Sequence, residues 1–483
     1  MRTRKKLIHW LAAIALAVPT AIVASMSPAQ AIGPALLPIT ITNNTGRSDA
    51  VFLYVLGTNI NTGQLGWVSA GGAFTPWPAG GLPPTPAQDV SIPGPANGGR
   101  TTLQLPRFLS ARLYFSFGER LHFLLTPTGL VQPAPWAGGD PNANILFDWT
   151  EFTYNDTGLF INSSQVDMFA VPHVVSVTNA AGVTQQTGAP VANGRNNVIN
   201  AIRAQAGFSN SVVTRADGTV LRVLAPGKAA DAGLMSSTYL DPYIASAWAA
   251  YASKPLVVTP FLDQPAVRFT GRTSGTVMNF TNTAGAQVAS FQRPTSANVW
   301  GCDGALGAPN DLVVGPIART LCAAMNRTTL GTIDTQPSTN AAQFYQGALT
   351  NHYSRIIHAN MADGRAYGFA FDDVGNFESL VHDGDPRSAG ITLSPFGAAG
   401  TPAPPTNPPP TTNPPPTTNP PPTTNPPPTT NPPPAAGGTW APNVAYPTGQ
   451  TVTYNGLRYQ CRQAHTSIPG WEPPNVPALW LPI

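Results

Sequence analysis

The stretch Asp148-Trp-Thr-Glu-Phe-Thr-Tyr-Asn-Asp-Thr-Gly158 decides how the larger part of this sequence is interpreted. Its alternation of apolar and polar residues predicts a β-strand that ends in a turn at Asn155–Gly158, and a second strand follows the turn. Because alternate residues of a strand point to the same side, Trp149, Glu151 and Thr153 are expected to share one face of the first strand.

The second strand is expected to bring another carboxylate to the same surface. Asp167 and Phe169 should share a face there, opposite to Val166 and Met168. If the two polar faces line one groove, two carboxylates flank a hydroxyl-rich surface on which Trp149 and Phe169 are predicted to bind substrate. Hydrolysis of a glycosidic bond needs such a pair, an acid for the leaving oxygen and an ionised base or nucleophile. The spacing fits two ordinary solvated strand residues as well, so the pattern alone leaves both interpretations open.

Three segments resemble glycoside hydrolase family 64, the laminaripentaose-producing β-1,3-glucanases. They are Arg112–Gly118, Asp148–Tyr154 and Ser164–Phe169, and the likeness extends from Leu36 to Phe396. The resemblance implies a mainly β protein with a thaumatin-like fold, in which a β-barrel or sandwich domain and a mixed α/β domain form a wide groove. It also implies an endo-type β-1,3-glucanase that hydrolyses laminarin and fungal cell-wall glucan with inversion.

The same resemblance assigns roles to individual side chains. Glu151 matches the family's general acid, and Asp167 matches its general base. Thr153 and Asn155 match positions expected to contact sugar hydroxyls. Burial against apolar neighbours is expected to keep Glu151 protonated near neutral pH, as a general acid requires.

The first 31 residues predict a signal peptide and therefore a secreted protein. Four basic residues precede an uncharged stretch from Leu7 to Ala24, and Ala29-Gln-Ala31 is a small-residue cleavage site. A permanent membrane anchor is the less favoured alternative because Pro19 interrupts the stretch and no stop-transfer pattern follows.

Charge argues for an uncharged partner. Signal removal takes away four of 25 basic residues and none of 22 acidic ones, which leaves a net charge of about −1. Nucleic acid and membrane partners are therefore not expected, and a neutral polysaccharide fits better. The protein is also expected to be a monomer.

Patterns outside the hairpin predict the order of the elements. Strands are predicted at Ile39–Thr42, Ala50–Val55, Arg112–Phe117 and Val220–Leu224, and helices at Ala192–Ala206, Tyr239–Tyr251 and Asn340–Arg355. We therefore expect a catalytic region over residues 32–398, with the β barrel at roughly 36–180 and the mixed α/β part at roughly 181–398. Cys302 and Cys322 are expected to form a disulfide because the protein is predicted to be exported.

Residues 399–438 predict a linker, since Asn-Pro-Pro-Pro-Thr-Thr repeats there with a period of six. Such a segment favours an extended polyproline-II spacer. Residues 439–483 resemble the all-β chitin-binding modules of carbohydrate-binding families 5 and 12, with a hairpin turn expected at Asn455-Gly456.

Aromatic residues of this tail have two expected roles. The resemblance assigns Trp471 to the chitin-binding face, where an indole stacks on the apolar face of a sugar ring. Completion of the core by Trp471 is the alternative. Cys461 is expected to be a buried thiol, and the predicted packing residues are Trp440, Tyr446, Tyr459 and Trp480.

Other polar residues are weaker candidates for chemistry. Glu119 is expected to be solvated or paired with an arginine, and Asp372-Asp373 could border the groove, bind a cation or form a solvated turn. No metal or cofactor is expected, because the histidines are isolated; His173, His352 and His358 are interpreted as structural.

Two rival functions remain open. One is a non-catalytic thaumatin-like protein that binds wall polysaccharide. The other is a chitinase, which the sequence disfavours because the motif Asp-x-x-Asp-x-Asp-x-Glu is absent.

Overall fold

A computed structural model describes residues 33–397 and, towards the C-terminus, 438–441, 444–446, 450–461, 465–467, 472–473 and 480–482. The predicted signal peptide, the predicted linker except its last residue, and Trp471 lie outside the described residues. The chain forms two compact units, Met1–Ala399 and Gly400–Ile483. No helix within the described ranges is long and apolar enough to cross a membrane.

Strands make up most of the regular structure in the first unit. In chain order they are β1 (Leu36–Asn43), β2 (Val51–Asn59), β3 (Leu65–Val68), β4 (Phe74–Pro76), β5 (Thr85–Pro86), β6 (Ile92–Pro93), β7 (Arg100–Pro106), β8 (Leu109–Phe117), β9 (Leu124–Thr126), β10 (Gly129–Val131), β11 (Leu146–Asn155), β12 (Gly158–Ser163), β13 (Met168–Phe169), β14 (His173–Asn179), β15 (Thr184–Thr187), β16 (Val212–Thr214), β17 (Val220–Leu224), β18 (Leu256–Val258), β19 (Phe269–Ser274), β20 (Val277–Thr281), β21 (Gln287–Gln292), β22 (Thr335–Gln336), β23 (Leu380–Asp383) and β24 (Pro386–Leu393).

The helices in the described part of this unit are fewer than its strands. They are α1 (Gly194–Ala204), α2 (Pro226–Asp231), α3 (Asp241–Ala250), α4 (Ser296–Gly301), α5 (Val314–Asn326) and α6 (His352–Ala359), with 3₁₀ turns at Ser209–Ser211, Gly304–Leu306 and Ala341–Gln343.

Two large sheets form the β part of the unit. One has the strand order β15-β14-β24-β1-β7, and the other has the order β23-β12-β11-β8-β2-β3-β4 with β6 paired to β2. Alternation along β1 points Leu37, Ile39 and Ile41 inward, where they are fully buried. Inward-facing side chains of both sheets belong to one continuous hydrophobic core. The protein is therefore mainly β, as predicted.

The β part is not confined to residues 36–180, and this part of the predicted boundary is wrong. Strand β24 lies in the middle of the five-stranded sheet, parallel to β1 and antiparallel to β14. Strand β23 forms the edge of the larger sheet beside β12. The end of the unit thus returns to complete both sheets, a long-range pairing that local sequence patterns do not encode.

The mixed α/β part lies between β17 and β23 in the chain. Its sheet has the order β21-β20-β19-β18-β22, and the buried helix α5 is the longest helix described. A disulfide joins Cys302, at the C-terminal end of α4, to Cys322 in α5.

Two of the three predicted helices are confirmed as α1 and α3, and the third is wrong. In place of one helix over Asn340–Arg355, a 3₁₀ turn at Ala341–Gln343 is followed by α6, which begins at His352. Each has its own N-cap: the Asn340 side chain accepts from the Ala342 amide, and the Asn351 side chain accepts from the Ser354 amide.

The second unit contains β25 (Ala445–Tyr446), β26 (Thr451–Tyr454), β27 (Leu457–Cys461), β28 (His465–Thr466) and β29 (Trp480–Pro482). Asn455 and Gly456 connect β26 to β27 with φ of 49° and 78°, as a tight hairpin turn requires. Cys461 is buried and not in a disulfide. The predicted packing residues are confirmed, because the buried core among the described residues of this unit includes Trp440, Tyr446, Val452, Tyr459, Cys461 and Trp480.

Candidate active site

The predicted hairpin around Glu151 is confirmed as β11 and β12. Its turn is held by the Asn155 side chain, which accepts hydrogen bonds from the amide and hydroxyl of Thr157. Gly158 follows with φ of +112°, and a Cβ at this position would lie 2.0 Å from the Asp383 carbonyl oxygen on β23. Glycine therefore allows β12 to approach β23 closely.

Strand register places two cross-strand rows of side chains on the face that carries Glu151. Residues directly opposite each other in antiparallel strands point to the same face. The first row includes Arg112, Glu151 and Asn162, and the second includes Ser110, Thr153, Phe160 and His382. The second row supplies hydroxyls and a stacked pair, since the rings of Phe160 and His382 lie 3.9 Å apart.

Asp167 reaches this site from a segment outside the large sheet. Strand β12 ends at Ser163, the chain leaves the large sheet, and β13 pairs with β17. The prediction that Asp167 and Phe169 share a polar strand face is wrong, because Asp167 precedes β13 and both Met168 and Phe169 are buried. The Ala225 amide holds the Asp167 carbonyl at 3.0 Å.

Arg112 brings the two predicted catalytic carboxylates together. Glu151 Oε1 lies 2.9 Å from both Nε and Nη2 of Arg112, and Asp167 Oδ2 lies 3.9 Å from the same Nη2. The nearest oxygens of the two carboxylates are thus at most 6.8 Å apart, the sum of these two distances. Asn162 Nδ2 lies 3.4 Å from the other oxygen of Glu151.

A second cation lies beside Asp167. Lys228 Nζ on α2 is 3.4 Å from Asp167 Oδ1 and 4.6 Å from the centre of the Trp136 ring. The base candidate therefore lies between an ammonium and a guanidinium, both partly buried. At this degree of burial, Asp167 interacts with the two cations more strongly than the partners of an exposed ion pair interact with each other.

The surroundings of Glu151 differ from the apolar pocket that we expected. The residue is buried, with 7% of its surface exposed, but its carboxylate contacts Arg112 and Asn162. Arg112 is held in turn by Gln132 and lies 4.7 Å above the Trp149 ring. The sequence placed Glu151 on the correct face and missed this polar network.

Two of the predicted substrate-binding residues are corrected. Trp149 and Phe169 are each 2% exposed, so neither ring presents a surface to a sugar. Trp149 packs against Tyr114 and beneath Arg112, and it supports the site from below. Thr153 and Asn155 are partly exposed, which keeps them available as substrate contacts.

Several site residues were missed by the sequence analysis. Arg112 lies in one of the quoted segments, and its position opposite Glu151 follows only once the strand register is known. Lys228 could have been noticed from the sequence, because it is one of two lysines outside the predicted signal peptide. No sequence pattern singles out Gln132, Trp136 or Asn162.

The weaker candidates lie elsewhere or have structural partners. Glu119 is exposed. Asp372 is fully buried and binds Arg327 and His358, so it neither borders a groove nor forms a solvated turn. Burial lowers the pKa of His173 to about 4, which favours a neutral structural role.

Two carboxyls near Asp372 are partly buried. Burial raises the pKa of Asp373 to about 6 and that of Glu378 to about 7, and in Glu378 the charge of Asp373 adds to the effect. Among the described residues, no group of three or more His, Cys, Asp or Glu side chains has the arrangement of a metal site.

Comparisons with known proteins identify the family of the larger unit. Residues 35–393 match the family profile of the β-1,3-glucanases of glycoside hydrolase family 64, and residues 439–481 match carbohydrate-binding module family 5/12. A glucan endo-1,3-β-glucosidase of Arthrobacter sp. (strain YCWD3) is 47% identical over 394 residues, which cover 81% of this chain and 71% of the relative.

A solved structure and a tail relative extend the comparison. A laminaripentaose-producing β-1,3-glucanase in complex with laminaritetraose is 55% identical, with a TM-score of 0.73 over 75% of this chain and 99% of its own. Chitinase A1 of Niallia circulans is 66% identical over 41 residues, 8% of this chain and 6% of the chitinase. The profile match over most of the chain establishes that this protein belongs to glycoside hydrolase family 64, the β-1,3-glucanases.

Proposed function

We propose that this protein is an endo-β-1,3-glucanase in which Glu151 is the general acid and Asp167 is the general base. The observation that carries the proposal is the contact of one guanidinium, that of Arg112, with both carboxylates on one face of the large sheet. The family membership and the glucan-bound relative support β-1,3-glucan as the substrate.

The reaction moves one proton at each carboxyl group. Glu151 gives its proton to the glycosidic oxygen as the C1–O bond breaks, and Asp167 takes a proton from the water that bonds to C1 from the opposite side. Negative charge thereby passes from Asp167 to Glu151 during one turnover. Arg112 contacts both groups, so its positive charge lies beside the anion before and after the reaction.

Substrate binding would use the second row of the same face together with Asn155, at the end of β11. Thr153 and Asn155 offer hydroxyl and amide groups to the sugar, next to Ser110. We assign this face to the floor of a wide groove in a thaumatin-like fold, and release of short laminari-oligosaccharides such as laminaripentaose follows from the resemblance to the family.

The stereochemistry is open to a direct measurement. Retaining enzymes hold their carboxyls about 5 to 5.5 Å apart and inverting enzymes about 6.5 to 9.5 Å apart. The upper bound of 6.8 Å between the nearest oxygens of Glu151 and Asp167 is compatible with either arrangement. Inversion is therefore a proposal that rests on the family resemblance.

Proton NMR of laminarin during digestion is expected to show new reducing ends whose α-anomer appears before mutarotation. An inverting enzyme converts a β-linkage directly into the α-anomer. Appearance of the β-anomer first would reject inversion. A lack of new reducing ends from folded protein would favour the non-catalytic, wall-binding alternative.

Delivery to the wall is the proposed role of the remaining segments. We assign residues 1–31 to a signal peptide, 32–398 to the catalytic region, 399–438 to the linker and 439–483 to a chitin-binding module with Trp471 on its ligand face. The protein would act outside the cell as a monomer without a cofactor. The family 5/12 match supports binding of an insoluble polysaccharide.

Cutting the chain near Pro405 is expected to leave hydrolysis of soluble laminarin unchanged and to reduce attack on fungal wall particles several-fold. An extended linker lets each part act independently while the module raises the local substrate concentration. Initial rates on both substrates measure this. Loss of activity on soluble laminarin would show that the tail belongs to the catalytic site.

Trp471→Ala in the full chain provides the matched variant for the truncation. It should reproduce the selective loss on wall particles and leave the module folded. Trp440→Ala is the control, since Trp440 is buried in the module core and its removal should unfold the module.

A further inference from the structure

We propose that Asp148 is a positioning residue that fixes the Asp167 segment relative to the strand carrying Glu151, a role that rests on the proposed function of those two carboxylates. Asp148 lies three residues before Glu151 on β11 and points to the opposite face of the sheet, into the interior. Only 2% of its surface is exposed.

The carboxylate of Asp148 binds the chain just after the general base. Asp148 Oδ2 accepts hydrogen bonds from the amides of Ala170, at 3.0 Å, and Val171, at 2.8 Å. Its other oxygen, Oδ1, accepts from the Trp149 amide at 3.0 Å. One buried side chain on β11 therefore connects the acid-bearing strand directly to the segment that carries the base.

Asp167 needs such a connection because it lies outside the large sheet. The Ala225 amide and the Tyr353 hydroxyl also hold its segment, through the carbonyls of Asp167 and Gln165, but they reach it from other parts of the fold. The contact of Asp148 is the shortest of these connections between Glu151 and Asp167 along the chain. Asp148 lies three positions before Glu151, and Ala170 lies three positions after Asp167. A shift of the Asp167–Ala170 segment relative to β11 would therefore change the distance between the acid and the base.

A carboxylate suits this position better than a neutral amide. One oxygen of Asp148 accepts from two amides, and asparagine would present a donor in place of one of the acceptor oxygens. Burial raises the pKa of Asp148 to about 7, whereas the amides of Val171, Ala170 and Trp149 act in the opposite direction. The hydrogen bonds to the base segment thus favour the ionised form of Asp148.

Asp148→Asn is expected to lower kcat on laminari-oligosaccharides about 10- to 100-fold, as misplacement of a catalytic group by about 1 Å can do. KM should stay within about twofold, because the second row of the face is unchanged. The decisive variant is the double mutant Asp148→Asn/Asp167→Asn. If Asp148 acts through Asp167, the double mutant should be as active as Asp167→Asn alone, since residues that act as a unit are non-additive.

A purely structural role of Asp148 would affect stability rather than kcat. Asp241→Asn is the matched control, because Asp241 also accepts from a backbone amide of a separate segment, that of Ser296 at 2.9 Å. It should lower Tm without changing kcat of the folded protein. If Asp148→Asn fails to fold, Asp148→Glu, which keeps the charge and the acceptors but displaces them, should give an intermediate kcat.

Two outcomes would overturn the proposal. One is near-normal kcat in folded Asp148→Asn, and the other is a further proportional loss of activity in the double mutant. Failure of the proposed function would be recognised separately, because Asp167→Asn alone would then keep near-normal turnover.

Discussion

Glu151→Gln and Asp167→Asn are each expected to lower kcat on laminarin by about 100-fold or more while glucan binding is retained. Glutamine has no acidic proton to give to the leaving oxygen, and asparagine cannot take a proton from the attacking water. Both amides keep the shape of the acids and leave Arg112 with a carbonyl oxygen to contact. Steady-state rates and a binding isotherm on an insoluble β-1,3-glucan measure the two properties separately.

The choice of substrate can separate the acid from the base. A better leaving group, such as a dinitrophenolate on a laminari-oligosaccharide, does not need protonation. The deficit of Glu151→Gln should therefore shrink on this substrate, whereas that of Asp167→Asn should persist because water must still be activated. Equal deficits for both variants on both substrates would contradict the assigned roles.

Glu119→Gln is the control for a general effect of removing a carboxylate. Glu119 is exposed and lies just beyond the end of β8, the strand that carries Arg112. Its replacement should leave kcat unchanged. Near-normal turnover in either Glu151→Gln or Asp167→Asn would reject the proposed site.

The hairpin could be predicted from sequence because its signals are local. Alternation placed Glu151 and Thr153 on the correct face, and the Asn155–Gly158 turn depends on neighbouring residues alone. The same alternation failed at Asp167, because β12 ends at Ser163 and the next pairing partner, β17, lies far along the chain. The assignment of Asp167 as the general base came from the family resemblance rather than from the alternation of residues around it.

Side-chain environments were less predictable than strand faces. The two-residue alternation of the strand predicted that Trp149 and Glu151 share a face. It did not reveal that the Arg112 guanidinium covers the Trp149 ring. Arg112 and Lys228 enter the site through strand register and the placement of α2, which are tertiary features. The return of β24 beside β1 is of the same kind, since no nearby residue specifies it.

Arg327→Met is expected to destabilise the protein by about 3 to 5 kcal/mol, because removing one partner of a buried ion pair leaves the other charge uncompensated. Arg327 is 2% exposed, and its Nη2 lies 2.9 Å from Oδ1 of the fully buried Asp372. Its guanidinium also lies 4.9 Å from the Phe344 ring centre and 4.8 Å from that of Phe377. Urea unfolding followed by tryptophan fluorescence measures the change.

Arg120→Met is the matched control for the loss of an arginine. Arg120 forms an ion pair of 3.0 Å with Asp89, and both side chains are more than half exposed. A surface pair of this kind contributes less than about 1 kcal/mol. Comparable destabilisation of Arg327→Met and Arg120→Met would show that burial does not strengthen the Arg327–Asp372 contact.

The pH dependence of this cluster has a sign that the structure determines. Burial alone would raise the pKa of Asp372, but His358 and Arg327 outweigh it and hold that pKa below its ordinary value of 3.8. Burial alone would lower the pKa of His358, but Asp372, 2.8 Å away, outweighs it and raises that pKa above 6.5. The Asp372 contribution is thus lost as pH falls through its lowered pKa, and the His358 contribution is lost as pH rises through its raised one.

His358→Gln tests the basic limb of this dependence. At pH 5, where His358 is charged in the folded and unfolded protein, the wild type should exceed the variant in unfolding free energy by its largest margin. The margin should shrink as the pH rises through the raised pKa of His358, because the neutral imidazole has a single N–H and can donate to only one of its two acceptors, the Gly364 carbonyl and the Asp372 carboxylate. A margin that grows with pH would mean that His358 is neutral in the folded protein and that Arg327 alone compensates Asp372.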